Sequence, residues 1–435
     1  MDVISDIRAA LTAACAVVRE GLAADAVAGI VPAFVASPAS TSEAAAVLRA
    51  AFAHDLAVVP RGAGTGFGWG LPGLRCDLVV DMQAMDQVLE HAAGDLVARV
   101  QAGVTLGQLG SVLGLAGQQL ALDAPLEATV GGVVATGTAG PRRFRYGAPR
   151  DLLIGITAVR ADGVVAHSGG KVVKNVAGYD IGKLLAGSQG TLALITEATF
   201  RLHPVPPSVA WVTAEFGPAD LPAAAAAVGA AAGSALVPSA VELDWSGSVL
   251  RMGVLLEGTA GGVADRVKQM CSLIADSGAS GGSGVAGGSG VAGGSLTVAV
   301  ADVPFRWWDQ VPASGSPAVV VRVTFWVSAL AGVLEAVAAA ASGAGVQPTV
   351  CGSAGAGLLY ACLDPGTGAQ QAAQFVVTLR ERVAGPRGGV VVLAAPADVA
   401  ASAYVQVPGA ALMRAVKDQF DPGDRMFPGR MAGVI

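Results

Sequence analysis

Hydrophobic and polar positions change period several times along this chain. From residue 3 to 20 apolar side chains recur at helical spacing, which predicts an N-terminal helix. Ser40-Thr41-Ser42-Glu43 reads as a capping box opening the helical run AAAVLRAAFA. LAVV at 56–59 reads as a short strand, and PRGAGTGFGWG (60–70) follows it directly, with glycine at every second position from Gly62 to Gly70. Strands are predicted over 76–82 and 96–102, and a helix near 105–114. Residues 152–168 read as two strands around the turn Ala161-Asp162-Gly163, and LALITEATFRL (192–202) as another strand. Three prolines in HPVPP (203–207) mark a boundary, beyond which helix and strand patterns alternate among long alanine runs to about residue 395. In that half, PAAAAAVGAAAGSALVPSAV (222–241) is broken by Gly, Pro and Ser and reads as a core helix with its flanks, not a membrane span. The low-complexity stretch within 278–295 has almost no side chain to bury and reads as a flexible insertion.

The alternating glycines raise the first chemical question, because each costs backbone entropy in a strand or helix. Three ligand-binding mechanisms compete with a tight turn of packing glycines. A dinucleotide fingerprint GxGxxG occurs at Gly68–Gly73, but no strand immediately precedes it, Pro72 interrupts it and no helix is predicted after it. A Walker loop fails, because Gly170-Lys171 is followed by Val172 and Gly182-Lys183 by Leu184. A nest of backbone N–H groups around an anion suits PRGAGTG after a strand, each N–H to a charged oxygen contributing about 1.5–3 kcal/mol. Two further segments, Thr129–Gly137 (TVGGVVATG) and Gly187-Ser188-Gln189-Gly190-Thr191, are also small and glycine-rich. Three such segments in one half imply one long ligand with several contact points, such as a dinucleotide.

Composition narrows the classes. The length of 435 residues allows two or three domains, and a formal charge of −6 argues against a nucleic-acid partner. Cys15, Cys76, Cys271, Cys351 and Cys362 are scattered, with no CxxC, which suggests reduced thiols in a cytoplasm and no metal or iron–sulfur site in this chain. The N-terminus MDVISDIRAAL has acids where an export signal needs bases, so no export is expected.

In order along the chain, PRGAGTG, TVGGVVATGTAG, GPRRFRYGAPRDLLIG, GGKVVKNVAGYDIGKLLAGSQGTLALITEATFRL and the terminal KDQFDPGDRMFPGRM resemble the vanillyl-alcohol-oxidase/PCMH superfamily of FAD proteins. Within it they are most similar to the FAD-binding, GlcE-type subunits of bacterial glycolate oxidase (glycolate dehydrogenase), over roughly 30–205 and again over the last twenty residues. The resemblance implies an α+β fold: an N-terminal helical segment 1–30, a PCMH-type FAD-binding domain of two α+β subdomains at 31–205, an α+β cap with an antiparallel sheet at 206–395, and a segment 396–435 returning to the FAD domain. It implies non-covalent FAD, since the opening loop holds no histidine, with the backbone of Arg61, Gly62, Ala63, Gly64 and Thr65 cradling the pyrophosphate. Thr129, Gly132 and Gly137 would line the cofactor's path, and Gly190 and Ile195 would meet it by main chain. Where relatives often read FDPxGxxNPGR, this chain has Phe427 in the asparagine's place.

Oxidation of a 2-hydroxy acid needs a base for the hydroxyl proton and a cation for the carboxylate. Cationic candidates are Arg142, Arg143, Arg145 and Arg150, against which stands the reading of a solvated or subunit-docking loop, and Lys171 and Lys174, against which stands an ordinary surface strand. Of the four histidines, His167, just before the lysine-bearing loop, is the one placed near the expected flavin; no general base is otherwise identified. The resemblance thus implies an FAD-binding subunit of a glycolate-oxidising complex, with a related flavoprotein subunit and an iron–sulfur subunit as partners. The chain would be cytoplasmic, with no membrane span of its own and any contact with the inner membrane made through partners. A self-contained FAD oxidase or dehydrogenase and a non-catalytic FAD-binding scaffold remain as alternatives.

Overall fold

The computed structural model describes residues 3–431, apart from 72, 172–177, 218–219, 281–295, 302, 305–307, 309–318, 386–387, 397–398 and 400–408. The glycine repeat of the expected insertion, Lys174 and Trp307 therefore lie outside the described residues. The chain forms two compact units, Met1–Ala139 with Gly147–Val205 and Tyr404–Ile435, and Gly140–Tyr146 with Pro206–Ala403. The break after Val205 falls within HPVPP. Residues 140–146 count with the second unit, although the sequence places them inside a continuous 31–205 domain.

The first unit contains two main sheets, besides a two-stranded ladder between Gln118–Gln119 and His203–Pro204. In the smaller, the spatial order is Val18–Glu20, Phe34–Ala36, Leu78–Asp81, Val58–Arg61. The last three run parallel and the first is antiparallel to its neighbour. Parallel strands need a crossover, supplied here by the helix Thr41–Ala53. Ser40 caps that helix, its hydroxyl accepting from the Glu43 N–H at 3.2 Å, but the Glu43 carboxylate takes the N–H of Ala39 instead of closing the box on Ser40. Ala44, Ala45, Val47, Leu48 and Ala51 form its buried face, small enough to sit close on the sheet.

The N-terminal helix spans only Val3–Ala14. Residues Val18–Glu20, expected to continue it, pair instead with Ala36–Phe34. A ladder of hydrogen bonds outweighs three residues of helical period.

The second sheet of this unit is antiparallel, in the order Val88–Ala92, Val97–Gln101, Ala193–Arg201, Leu153–Arg160, Val165–Gly169. The last two form the expected hairpin. A continuous core joins both sheets through Leu48, Val80, Val100, Val134, Leu185 and Phe200. The chain end completes the unit. After the helix Ala410–Phe420, Val58 N–H donates to Arg425 O at 2.7 Å and Phe427 N–H to Val58 O at 2.8 Å, laying the terminal segment along the free edge of Val58–Arg61.

The second unit is built on an eight-stranded sheet whose ladders are all antiparallel. Val321, Val323, Leu359, Ala361, Leu243 and Met252 point to one face and join a core with the helices Leu221–Ala232, Ala260–Ser280, Leu330–Ala344 and Ala369–Val383. The alanine runs serve close packing: Ala224, Ala227 and Ala231 are buried. The segment Val327–Ala344 is long and apolar enough to cross a membrane by composition, yet Leu330, Leu334, Val337 and Ala340 are spent inside this core.

Candidate cofactor-binding site

A cleft opens in the first unit past the carboxyl ends of Val58–Arg61 and Leu78–Asp81. That is the position where parallel strands present their loops to ligands. Its wall is made by the loop Arg61–Phe67, by Thr129–Thr136, by Gln189-Gly190 with strand residues 193–195, and by Phe427 and Arg430 from the chain end. Backbone hydrogen bonds bring these segments together. Gly187 N–H donates to Val134 O at 3.0 Å and Gln189 N–H to Ala135 O at 2.7 Å, docking the third glycine loop on the second, while Gly131 N–H reaches Ala102 O at 2.8 Å.

The alternating glycines acquire a second explanation here. A Cβ on Gly62 would lie 2.0 Å from Thr129 Oγ1, one on Gly66 2.7 Å from Thr136 Cγ2, and one on Gly70 2.6 Å from Gln189 Oε1. Part of the rhythm is thus set by the other walls of the cleft packing against the loop, and only part is left for a ligand. Gly64 sits on the cleft at φ +78°, a conformation L side chains rarely adopt.

Nine of the ten residues expected to meet the cofactor line this cleft: Arg61, Gly62, Ala63, Gly64, Thr65, Thr129, Gly132, Gly190 and Ile195. Gly137 does not. It caps the C-terminus of the helix Val130–Thr136 at φ +66°, a conformation that requires glycine for the helix to stop. Thr129 caps the same helix, its hydroxyl accepting from Gly132 N–H at 3.3 Å.

The catalytic candidates lie elsewhere. His167 sits on the edge strand Val165–Gly169, its Nδ1 3.0 Å from Thr157 Oγ1, and is not part of the cleft wall. Lys171 forms an ion pair with Glu90. Asp180 caps the short helix Ile181–Leu185 and Tyr179 is exposed. Arg142 and Arg143 belong to the second unit.

The charges of the cleft divide into a neutralised and an unneutralised part. Arg61 donates to Asp25 at 3.0 Å and to Asp81 at 2.8 Å, so its side chain is committed to carboxylates and only its backbone is offered to the cleft. Hydrogen bonds from Arg19 hold the Asp25 carboxyl well below the usual carboxylate range; burial opposes them, and Leu22 N–H and Arg61 add to them. Arg430 has no carboxylate partner among the described residues. It donates to Gly66 O at 2.8 Å, Phe67 O at 3.0 Å, Leu71 O at 3.3 Å and Gln189 Oε1 at 3.2 Å, and its guanidinium carbon lies 4.8 Å from the centre of the Phe427 ring. No acidic side chain lines the cleft among the described residues.

Arg430 and Phe427 had no local signal as cleft residues, because they are more than 350 positions from the loop they complete. Phe427, however, carried a clue in its departure from the relatives' asparagine. Its φ is +44°, in the region where asparagine is enriched and a bulky residue is strained. Its ring is 2% exposed and packs edge-on to Phe67 with centroids 6.2 Å apart. Restoring Asn would relieve about 1 kcal/mol of strain but forfeit a buried ring whose loss costs about 3–5 kcal/mol. Phe427→Asn is therefore expected to destabilise the first unit by about 2 kcal/mol or more. The check is the denaturant midpoint; a variant as stable as the parent would show that the ring contributes little.

In the second unit, the sheet face opposite the helices carries a polar row. Arg322 pairs across strands with Tyr360, Tyr360 with Cys351, Cys351 with Asp244, Asp244 with Arg251 and Arg251 with Glu215. Arg251 is neutralised by Glu215 at 2.9 Å and Asp244 at 3.5 Å. Arg322 has no ion pair among the described residues, and its Nε is buried without a hydrogen-bond partner. Burial weakens its hold on its proton, and the nearby charge of Arg143 acts in the same direction. Burial also pushes the Tyr360 hydroxyl up, against the pull of Arg143 and Arg322. Residues 140–146 are fixed nearby through Tyr146 Oη donating to Glu257 at 2.8 Å and Arg145 donating to Ser239 Oγ at 3.2 Å.

Comparison with known proteins fits this geometry. Residues 32–169 match the FAD binding domain family. An uncharacterised FAD-linked oxidoreductase of Mycobacterium tuberculosis is 33% identical over 241 residues, 55% of this chain and 52% of that protein. The D-lactate dehydrogenase of Archaeoglobus fulgidus is 40% identical over 171 residues, 39% of this chain and 38% of that one. The glycolate oxidase subunit GlcD of Bacillus subtilis is 34% identical over 218 residues, 48% and 45% of the two chains. The chain thus spans about half the length, or less, of the curated relatives it matches. Among solved structures, the glucooligosaccharide oxidase of Acremonium strictum superposes with a TM-score of 0.66 at 18% identity, covering 99% of both chains. At that identity the likeness speaks for the fold alone. Residues 32–169 thus resemble an FAD binding domain, and the chain has the α+β fold of PCMH-type flavoproteins.

Proposed function

We propose that this chain is the FAD-binding subunit of an oxidoreductase that converts a 2-hydroxy acid, glycolate in the first instance, to the 2-oxo acid and hands the electrons to partner subunits. The observation that carries the reading is the cleft, walled by glycine backbone and small side chains, free of acidic groups among its described residues, and lying within and beside the matched FAD binding segment. When bound, FAD supplies the hydride acceptor. The chain's own part is to hold it: the backbone of residues 61–65 offers N–H groups, and Thr129 and Gly132 together with Gly190 and Ile195 form the surrounding wall. Cysteine and histidine are absent from the described wall, which favours non-covalent attachment. The names of the relatives, D-lactate dehydrogenase, GlcD and D-2-hydroxyglutarate dehydrogenase, share a 2-hydroxy acid as their chemistry, and that class is carried here as the substrate.

An iron–sulfur subunit and a second flavoprotein subunit are the partners proposed to relay electrons.

The deciding measurement is the visible spectrum of the purified chain under anaerobic glycolate. Flavin absorbance that bleaches only after the partner subunits are added is the expected result. Bleaching of the isolated chain would favour a self-contained dehydrogenase. Turnover by the complex while this flavin stays oxidised would favour a scaffold. A chain that takes up no FAD would defeat all three.

A further inference from the structure

The cleft holds one charge that the fold does not balance. Burying a guanidinium without an opposite charge is unfavourable, because neutral carbonyls replace only part of the lost hydration. Arg430 is 4% exposed, and burial lowers its hold on its proton to a pKa of about 10. Its partners are three backbone carbonyls of the glycine loop and the Gln189 amide oxygen. The other arginine in the wall, Arg61, is fully paired with Asp25 and Asp81. The described wall of the cleft therefore carries a net positive charge, and that charge is Arg430's.

We propose that the Arg430 guanidinium is the charge partner of the cofactor's diphosphate, and that it makes the site select FAD over flavins lacking phosphate. The proposal rests on the FAD reading above. It goes beyond a grip by backbone amides alone, because amides offer partial charges whereas Arg430 offers a full one. The same side chain ties Gly66, Phe67 and Leu71 to the chain end, so loop geometry and ligand charge are coupled through one residue. A purely structural clamp would affect every flavin alike. A charge partner affects phosphorylated flavins selectively.

The test uses the full chain stripped of flavin, with dissociation constants for FAD and riboflavin read from quenching of flavin fluorescence. Arg430→Gln is expected to weaken FAD tenfold or more while riboflavin changes less than twofold, and Arg430→Lys is expected to restore most of the FAD affinity. Arg430→His supplies a second readout if Arg430→Gln does not fold. Its FAD affinity is expected to fall as pH rises through the imidazole range, with riboflavin unmoved. Equal weakening of FAD and riboflavin by Arg430→Gln, a lysine variant no better than the glutamine, or a histidine variant without pH dependence each overturns the proposal. Failure of the parent chain to bind any flavin would instead overturn the FAD reading itself.

Discussion

Lys417→Met is expected to lower the stability of the first unit by about 3–5 kcal/mol, the cost of breaking a buried ion pair by removing one partner. Lys417 lies on the helix Ala410–Phe420 and is 1% exposed. Its ammonium spends all three donors: on Asp421 Oδ2 at 2.6 Å, on Thr191 O at 2.8 Å and on Met426 O at 3.0 Å. Asp421 Oδ2 also accepts the Met426 N–H at 2.6 Å. One amine thus joins the terminal helix, the third glycine loop and the segment that runs along Val58–Arg61. Without it, a carboxylate is left buried and unpaired, and Phe427 and Arg430 lose the anchor that presents them to the cleft. The denaturant midpoint should fall with an unchanged m-value, and flavin retention should fall with it. Adding Asp421→Leu to Lys417→Met should recover part of the loss, though not all, because the Met426 N–H is then unsatisfied. A single-variant change under about 1 kcal/mol would mean the pair is not the anchor.

Gly62→Ala is expected to cost at least ~100-fold in FAD affinity. The new Cβ would stand 2.0 Å from Thr129 Oγ1, far inside any real contact, and Thr129 cannot step aside without losing the cap it makes on Val130–Thr136. The loop must shift instead. Losing two backbone N–H bonds to charged oxygens, at about 1.5–3 kcal/mol each, amounts to a factor of one hundred or more. Overpacking adds about 1–3 kcal/mol of destabilisation. A second substitution separates the causes. Thr129→Ala removes the obstructing oxygen at about 1 kcal/mol for the lost cap, so the double variant should bind FAD better than Gly62→Ala alone. If Gly62→Ala binds FAD as the parent does, the loop is not the phosphate cradle.

Much of the element order was legible because its signals are local. The Ser40 cap, the turn at Ala161-Asp162-Gly163, the helix Leu106–Gly114 and the break at HPVPP each depend on a few adjacent residues. The glycine segments were legible as one site for the same reason: a bare backbone is a property of composition. Where local pattern and tertiary pairing disagreed, pairing prevailed, as at Val18–Glu20. Where one residue type serves two purposes, sequence could not separate them, and Gly137 proved to be a helix stop and not part of the cleft wall. The polar row from Arg322 to Glu215 was invisible, because its members come from six strands and only the register aligns them.

The sequence by itself determined that this chain carries several small-residue, glycine-rich segments and where they lie, since chain flexibility and the absence of side chains are written residue by residue. Only the tertiary structure decided the charge of the cleft they line. Arg61 and Arg430 are the same residue type, yet one is neutralised by Asp25 and Asp81 and the other is buried among carbonyls, because the partners of a charged group are chosen by the fold and not by its neighbours in the chain.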